Sequence, residues 1–126
     1  MNIKLSNEFL HQLVENTNSR KAVIFSNNGL SMFSTLDDNK QDENISAHTA
    51  TMFDLCETSV KNMEALAIEQ LIIENDNGFI ITTPVNKKSY LVLFSGLNPD
   101  LSLIKAEMQK TISLVTNYVA EPELAM

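Results

Sequence analysis

Apolar positions along the chain fall into alternating helical and strand periods, and their order outlines a fold. From Ser6 onward Phe9, Leu10, Leu13 and Val14 recur at three and four residues, with Glu8, His11, Gln12 and Glu15 between them. That spacing predicts an amphipathic helix, with Ser6 as its N-cap. Lys21 to Ser26 (KAVIFS) is β-branched and aromatic and predicts a strand. Asn28-Gly29 suits a type I′ turn with positive φ at both centres, and LSMFST returns with period two, so a hairpin is expected. Leu36 to Asn44 (LDDNKQDEN) has four acids against one lysine and reads as a solvated loop.

Ser46 to Leu66 predicts the longest helix. Met52, Phe53, Cys56, Val60, Met63 and Ala67 form its apolar stripe. A second row, Thr51, Leu55, Ser59, Asn62 and Leu66, lies about 100° round the helix and is uncharged. A helix that only covers a sheet within one chain would place charge there. Three strands follow, at 68–74, 79–84 and 89–95, with Asn77-Gly78 and then Asn86, Lys87 and Lys88 in the connections. They predict an antiparallel meander in which Pro84 ends its strand. Asn98 is expected to cap a last helix, with Pro99 in its first turn and Asp100 facing the positive end of the dipole. Its buried stripe is Leu101, Ile104, Met108, Ile112, Val115 and Val119, and residues 120–126 read as a loose tail.

A chain of 126 residues, 44% of them hydrophobic, is the size of one domain, here 1–126 with a core over about 5–119. A net charge of -7 argues against direct binding to DNA or RNA. The longest apolar run, Tyr90 to Phe94, is far below the ~20 residues of a membrane span, so no membrane insertion is expected. A polar N-terminus without a signal-peptide pattern and a single cysteine lead to the expectation of a cytoplasmic protein.

Candidate chemistry is sparse. His11 and His48 have no partner at metal-pair spacing, and Cys56 sits on the apolar stripe, where it reads as core. The stretch IENDNGF fails as a calcium loop, because Ile73 and Pro84 fall where carboxylates are required. With only Gly29, Gly78 and Gly96 there is no phosphate-binding loop. No catalytic residue, metal ligand or cofactor is assigned. What remains is surface: the strand IEQLIIE has no Lys or Pro to protect an edge. With the second helical row it predicts a dimer interface of Thr51, Leu55, Ser59, Asn62, Leu66, Glu69, Leu71 and Ile73.

Five segments in this order, AVIFSNNGLSMFST, the long helix after an acidic stretch, NDNGFIITTP, YLVLFSG and DLSLIKAEMQK, resemble the Roadblock/dynein light-chain family over Leu5 to about Val119. Ser102 and Lys105 depart from the Gly and Arg of many relatives. The resemblance implies a mixed α/β fold of the α+β type, ordered α-β-β-α-β-β-β-α. Its five-stranded antiparallel sheet would run 2-1-5-4-3, with the first and third helices on one face and the second on the other. It also implies dimers that pair second helices and third strands, and that regulate or scaffold small Ras-like GTPases. Self-association is thus expected, as a homodimer or with a paralogue. Arg20 is the one arginine and is not expected to act as a catalytic finger; stimulation of hydrolysis would come from positioning the partner's switch loops. The alternative is a small-molecule sensor of PAS or profilin-like type, with a cavity lined by Met52, Phe53, Met63 or Phe79.

Overall fold

The computed structural model describes residues 7–35, 39–63 and 68–119. Ser6, Leu66, Ala67 and the 120–126 tail lie outside them. In chain order the elements are α1 (Glu8–Thr17), β1 (Lys21–Ser26), β2 (Ser31–Ser34), α2 (Asn39–Asn62), β3 (Leu71–Asn75), β4 (Gly78–Asn86), β5 (Ser89–Phe94) and α3 (Leu101–Val119). The sheet is antiparallel in the order β2-β1-β5-β4-β3, as the resemblance implied.

Strand alternation divides the interior into two layers. Ala22 and Ile24 of β1, Ile81 of β4, and Leu91 and Leu93 of β5 meet Leu10 and Leu13 of α1 and Ile104, Met108 and Val115 of α3. Val23, Phe25, Tyr90 and Val92 point the other way, onto Phe53 of α2. β5 is buried on both faces, which explains why YLVLF is an unbroken apolar run instead of an alternating one.

Asn7 occupies the N-cap position of α1 without capping it. Its Oδ1 accepts the Ser34 N–H at 3.0 Å and ties the helix start to β2. At the other end Asn18 adopts φ 55°, and the Ser19 N–H reaches the Val14 carbonyl at 2.9 Å, a Schellman-type closure. On the outer side Glu107 of α3 accepts from Lys110 Nζ at 3.1 Å and from Asn16 of α1 at 3.2 Å. These two donors hold its carboxyl below the usual carboxylate range, so the link weakens as pH falls through that lowered value.

Several local expectations are corrected. The acidic stretch is not all loop: α2 begins at Asn39, seven residues before the expected start. By sequence Lys40, Gln41 and Glu43 are good helix formers, and Asp42 and Glu43 complement the dipole of an N-terminus. His48 therefore sits well inside α2 and not in its first turn. In the β1–β2 turn only Gly29 has positive φ, 88°, and its N–H bonds the Ser26 carbonyl at 2.9 Å. Ser26 N–H in turn bonds the Leu30 carbonyl at 2.8 Å, so the turn is a three-residue loop with a glycine bulge and not type I′. Pro84 does not end its strand, because β3 stops pairing at Leu71↔Thr82 and a bulge follows before Asn86. Its missing N–H is not needed on the β3 side.

Asn98 does not cap α3. It takes φ 55° two residues earlier, and the cap is Asp100, whose Oδ1 accepts the Leu103 N–H at 3.1 Å. Pro99 thus precedes the helix. Replacing Asp100 by Ala should lower stability by about 1 kcal/mol in urea unfolding, whereas Asn98→Gly should not lower it. The last helix buries Ile104, Met108 and Val115 as expected, but Leu101 at its start is exposed.

Candidate interaction surface

α2 is fixed to the sheet by one turn. Thr49 and Phe53 are buried, Ala50 and Met52 half-buried, and Phe53 is the one fully buried hydrophobic residue of the helix among the described residues. Its ring lies 4.6 Å from that of Tyr90, which lies 5.4 Å from Phe25. From this anchor the stripe continues to Cys56 and Val60, which are only half-buried, and to Met63, which is 74% exposed. Cys56 and Met63 are therefore not core. The period places them on the inner face, but Cys56 and Met63 border an open hollow against Ile68 and Leu71, and Met63 stands past the end of α2.

The uncharged second row is exposed: Thr51, Leu55, Ser59 and Asn62 all face outward, Leu55 at 64%. Next to it runs β3, an edge of the sheet, with Leu71 and Ile73 half-buried and Ile72 44% exposed. An apolar hollow of about 370 Å³ lies between helix and strand, and Leu55, Val60, Met63, Ile68 and Leu71 line it. Gln70 closes one side, its Nε2 donating to Thr83 Oγ1 at 3.2 Å.

The structure thus brings Leu55, Ser59 and Leu71 to one hollow. Thr51 stands instead on a polar cleft near the hairpin turns, and Ile73 farther along the strand against Ile80. Glu69 is exposed and precedes β3, which starts at Leu71, and Leu66 lies outside the described residues. Sequence reasoning missed Met63, Val60, Ile68 and Ile72. The run LIIE signalled an exposed edge, but nothing local announces that the end of α2 stands over it.

The polar cleft, about 470 Å³ and open, lies between Asn27–Gly29, Lys87 and the α2 residues Ala47, Asp54 and Glu57. Tyr90 forms part of its wall. Burial, and then the negative charges of Glu57 and Asp54, push the Tyr90 hydroxyl above its usual pKa, so it stays protonated and can donate. Among the described residues no three His, Cys, Asp or Glu side chains are grouped to hold a metal ion. The four residues proposed to line a sensor cavity do not converge. Phe53 packs under α2, Phe79 packs on the α1–α3 side of the sheet, and Met63 is exposed. Among the described residues no helix is long and apolar enough to cross a membrane.

Comparison with curated proteins returns no match. The family model for the Roadblock/LC7 domain matches residues 5–95, from α1 through β5. Among solved structures, a Roadblock/LC7 domain from Streptomyces avermitilis superposes with a TM-score of 0.85 at 17% identity, covering 91% of this chain and 98% of that one. Myxococcus xanthus MglB gives 0.80 at 17% identity, over 88% of this chain and 91% of its own. The gliding protein MglB of Thermus thermophilus gives 0.76 at 11% identity, over 87% and 84%. At such identities the structural likeness is one of fold, and it agrees with the strand order, the split of helices between the two faces and the family match. The chain belongs to the Roadblock/LC7 family.

Proposed function

We propose that this protein is a non-catalytic, self-associating binding module that regulates or scaffolds a small Ras-like GTPase. The supporting observation is the outward row of α2 beside the bare edge of β3. An uncharged helix face, an apolar hollow and an unprotected strand edge adjoin, and association would bury them together. The family resemblance supplies the GTPase, and one MglB neighbour is described as having a tetrameric arrangement. A GTPase bound to such a dimer would respond through its switch loops, provided the module prefers one of their two conformations.

Light scattering should give a mass roughly twice the 14.1 kDa of one chain. Leu55→Glu, which puts charge into the hollow, should return it to that of a single chain. A single-chain mass for the unaltered protein at micromolar concentration overturns the association. For the partner, the immobilised protein is exposed to native lysate loaded with GDP or a non-hydrolysable GTP analogue, and bound proteins are identified by mass spectrometry. A small GTPase held in preference in one nucleotide state is expected. None in either state defeats the reading.

A further inference from the structure

We infer that the open end of the sheet, on the face that carries α2, is a docking site for an acidic, amphipathic segment of a partner protein. Strand register aligns four residues in one row across four strands: Lys21 of β1 pairs with Phe94 of β5, Phe94 with Ile80 of β4, and Ile80 with Ile73 of β3. The three apolar members are half-buried. α2 does not cover them. Its anchor Phe53 packs on Tyr90, four residues from Phe94 along β5, or about 13 Å, whereas a helix is roughly 10 Å across. No α2 residue lines the cleft of about 340 Å³ that opens over Ile80 and Phe94.

Two cations border the cleft, Lys21 at the β1 end of the row and Arg20 with its guanidinium reaching to the β3–β4 turn. Lys21 Nζ sits 4.7 Å above the centre of the Phe94 ring. Arg20 is held by its backbone N–H on the Phe94 carbonyl at 2.8 Å and by Nη2 on the Asn77 carbonyl at 2.8 Å. The rest of the guanidinium fork is left for a carboxylate. Among the described residues neither cation has a carboxylate within ion-pair distance.

Lys21 and Arg20 line the same cleft, and two cations with no carboxylate beside them among the described residues select an acidic occupant. The apolar floor selects one that also carries hydrophobic side chains, which favours a protein segment over a free anion. Four strands span about 14 Å, enough to seat one helix or one extended segment. Pairing of β3 edges between two copies would lengthen the row at Ile73 and leave Lys21, at its far end, uncovered. The site therefore does not depend on the partner's being a GTPase.

The test uses the full ¹⁵N-labelled protein and a synthetic amphipathic peptide of leucine and glutamate as probe. Amide shifts centred on Lys21, Ile80 and Phe94 are expected, with an affinity that falls as salt is added. The double variant Arg20→Glu, Lys21→Glu should bind about tenfold or more weakly, and Arg20→Gln, Lys21→Gln should lose an intermediate amount. Both should still unfold in one cooperative transition, so that weaker binding is not loss of the fold. Shifts confined to Leu55 and Met63, or affinity indifferent to these substitutions, overturn the inference. So do equal shifts with inorganic phosphate alone, which would mark a simple anion site. A change of light-scattering mass in the double variant would assign the row to a second copy and equally overturn it.

Discussion

Gly78→Ala should unfold this protein at far lower urea concentration than any other glycine substitution, with a loss of about 3–5 kcal/mol. Gly78 opens β4 directly after the turn from β3, at φ 138°, a conformation that side chains disfavour. A Cβ there would stand 2.5 Å from the Ser95 carbonyl oxygen, 2.6 Å from that of Gly96 and 2.8 Å from the Gly96 carbonyl carbon. All three are backbone atoms, so no rotamer change relieves the contact. The neighbourhood is also pinned, because Phe79 N–H donates to Ser95 Oγ at 3.1 Å and Ser95 N–H to the Phe79 carbonyl at 2.9 Å. Two controls separate this from a general intolerance of alanine. Gly96→Ala would meet only Arg20 Nε, at 3.9 Å, and should be near neutral. Gly29→Ala, at φ 88° and 3.4 Å from the Ala47 Cα, should lose about 1–2 kcal/mol. If all three variants unfold alike, the turn does not press on the end of β5.

Phe53→Ala should cost about 3–5 kcal/mol in equilibrium unfolding and abolish self-association with it. The side chain has no exposed surface, and it is the point at which α2 engages the aromatic pair Phe25–Tyr90. Removing it leaves a cavity where three rings met and loosens the helix that carries the outward row. Leu55→Ala, two residues on and mostly exposed, should change monomer stability by under about 0.5 kcal/mol. It should still weaken association. Circular dichroism in urea, read beside light scattering, separates the two effects. Were Phe53→Ala to lose less than about 1 kcal/mol, the anchoring of α2 would have to lie elsewhere.

Most of the element order was legible because it is written in short-range patterns. KAVIFS, the Asn-Gly turns and the 104, 108, 115 spacing each report a local period, and each reappears in place. The misread positions depend on what lies across space. The start of α2 lacks apolar period, since those residues need only helix propensity and dipole. Pro84 is tolerated because a neighbouring strand has already ended, a fact of sheet register. Met63 follows the buried stripe by count and is exposed, since it stands past the end of α2 on an open hollow. The interaction surface divides in the same way. Thr51, Leu55, Ser59 and Asn62 could be read as an unusual helix face from their uncharged side chains alone. The hollow against Leu71 and the row from Lys21 to Ile73 could not, since each joins residues from separate elements.

The place of β5 in the sheet bears on the order in which the chain can fold during its synthesis. β1–β2 and β3–β4 are each local hairpins, yet β5 alone bridges them, pairing with β1 on one side and β4 on the other. β1 meets its central partner β5 at a separation of about 70 residues, and a loop of that length must close before the first hairpin joins the local β3–β4–β5 meander. Until YLVLF leaves the ribosome, the inner edges of β1 and β4 are both unpaired. In that interval the nascent protein carries two open strand edges, and its hazard is pairing with a neighbouring chain before its own last strand arrives.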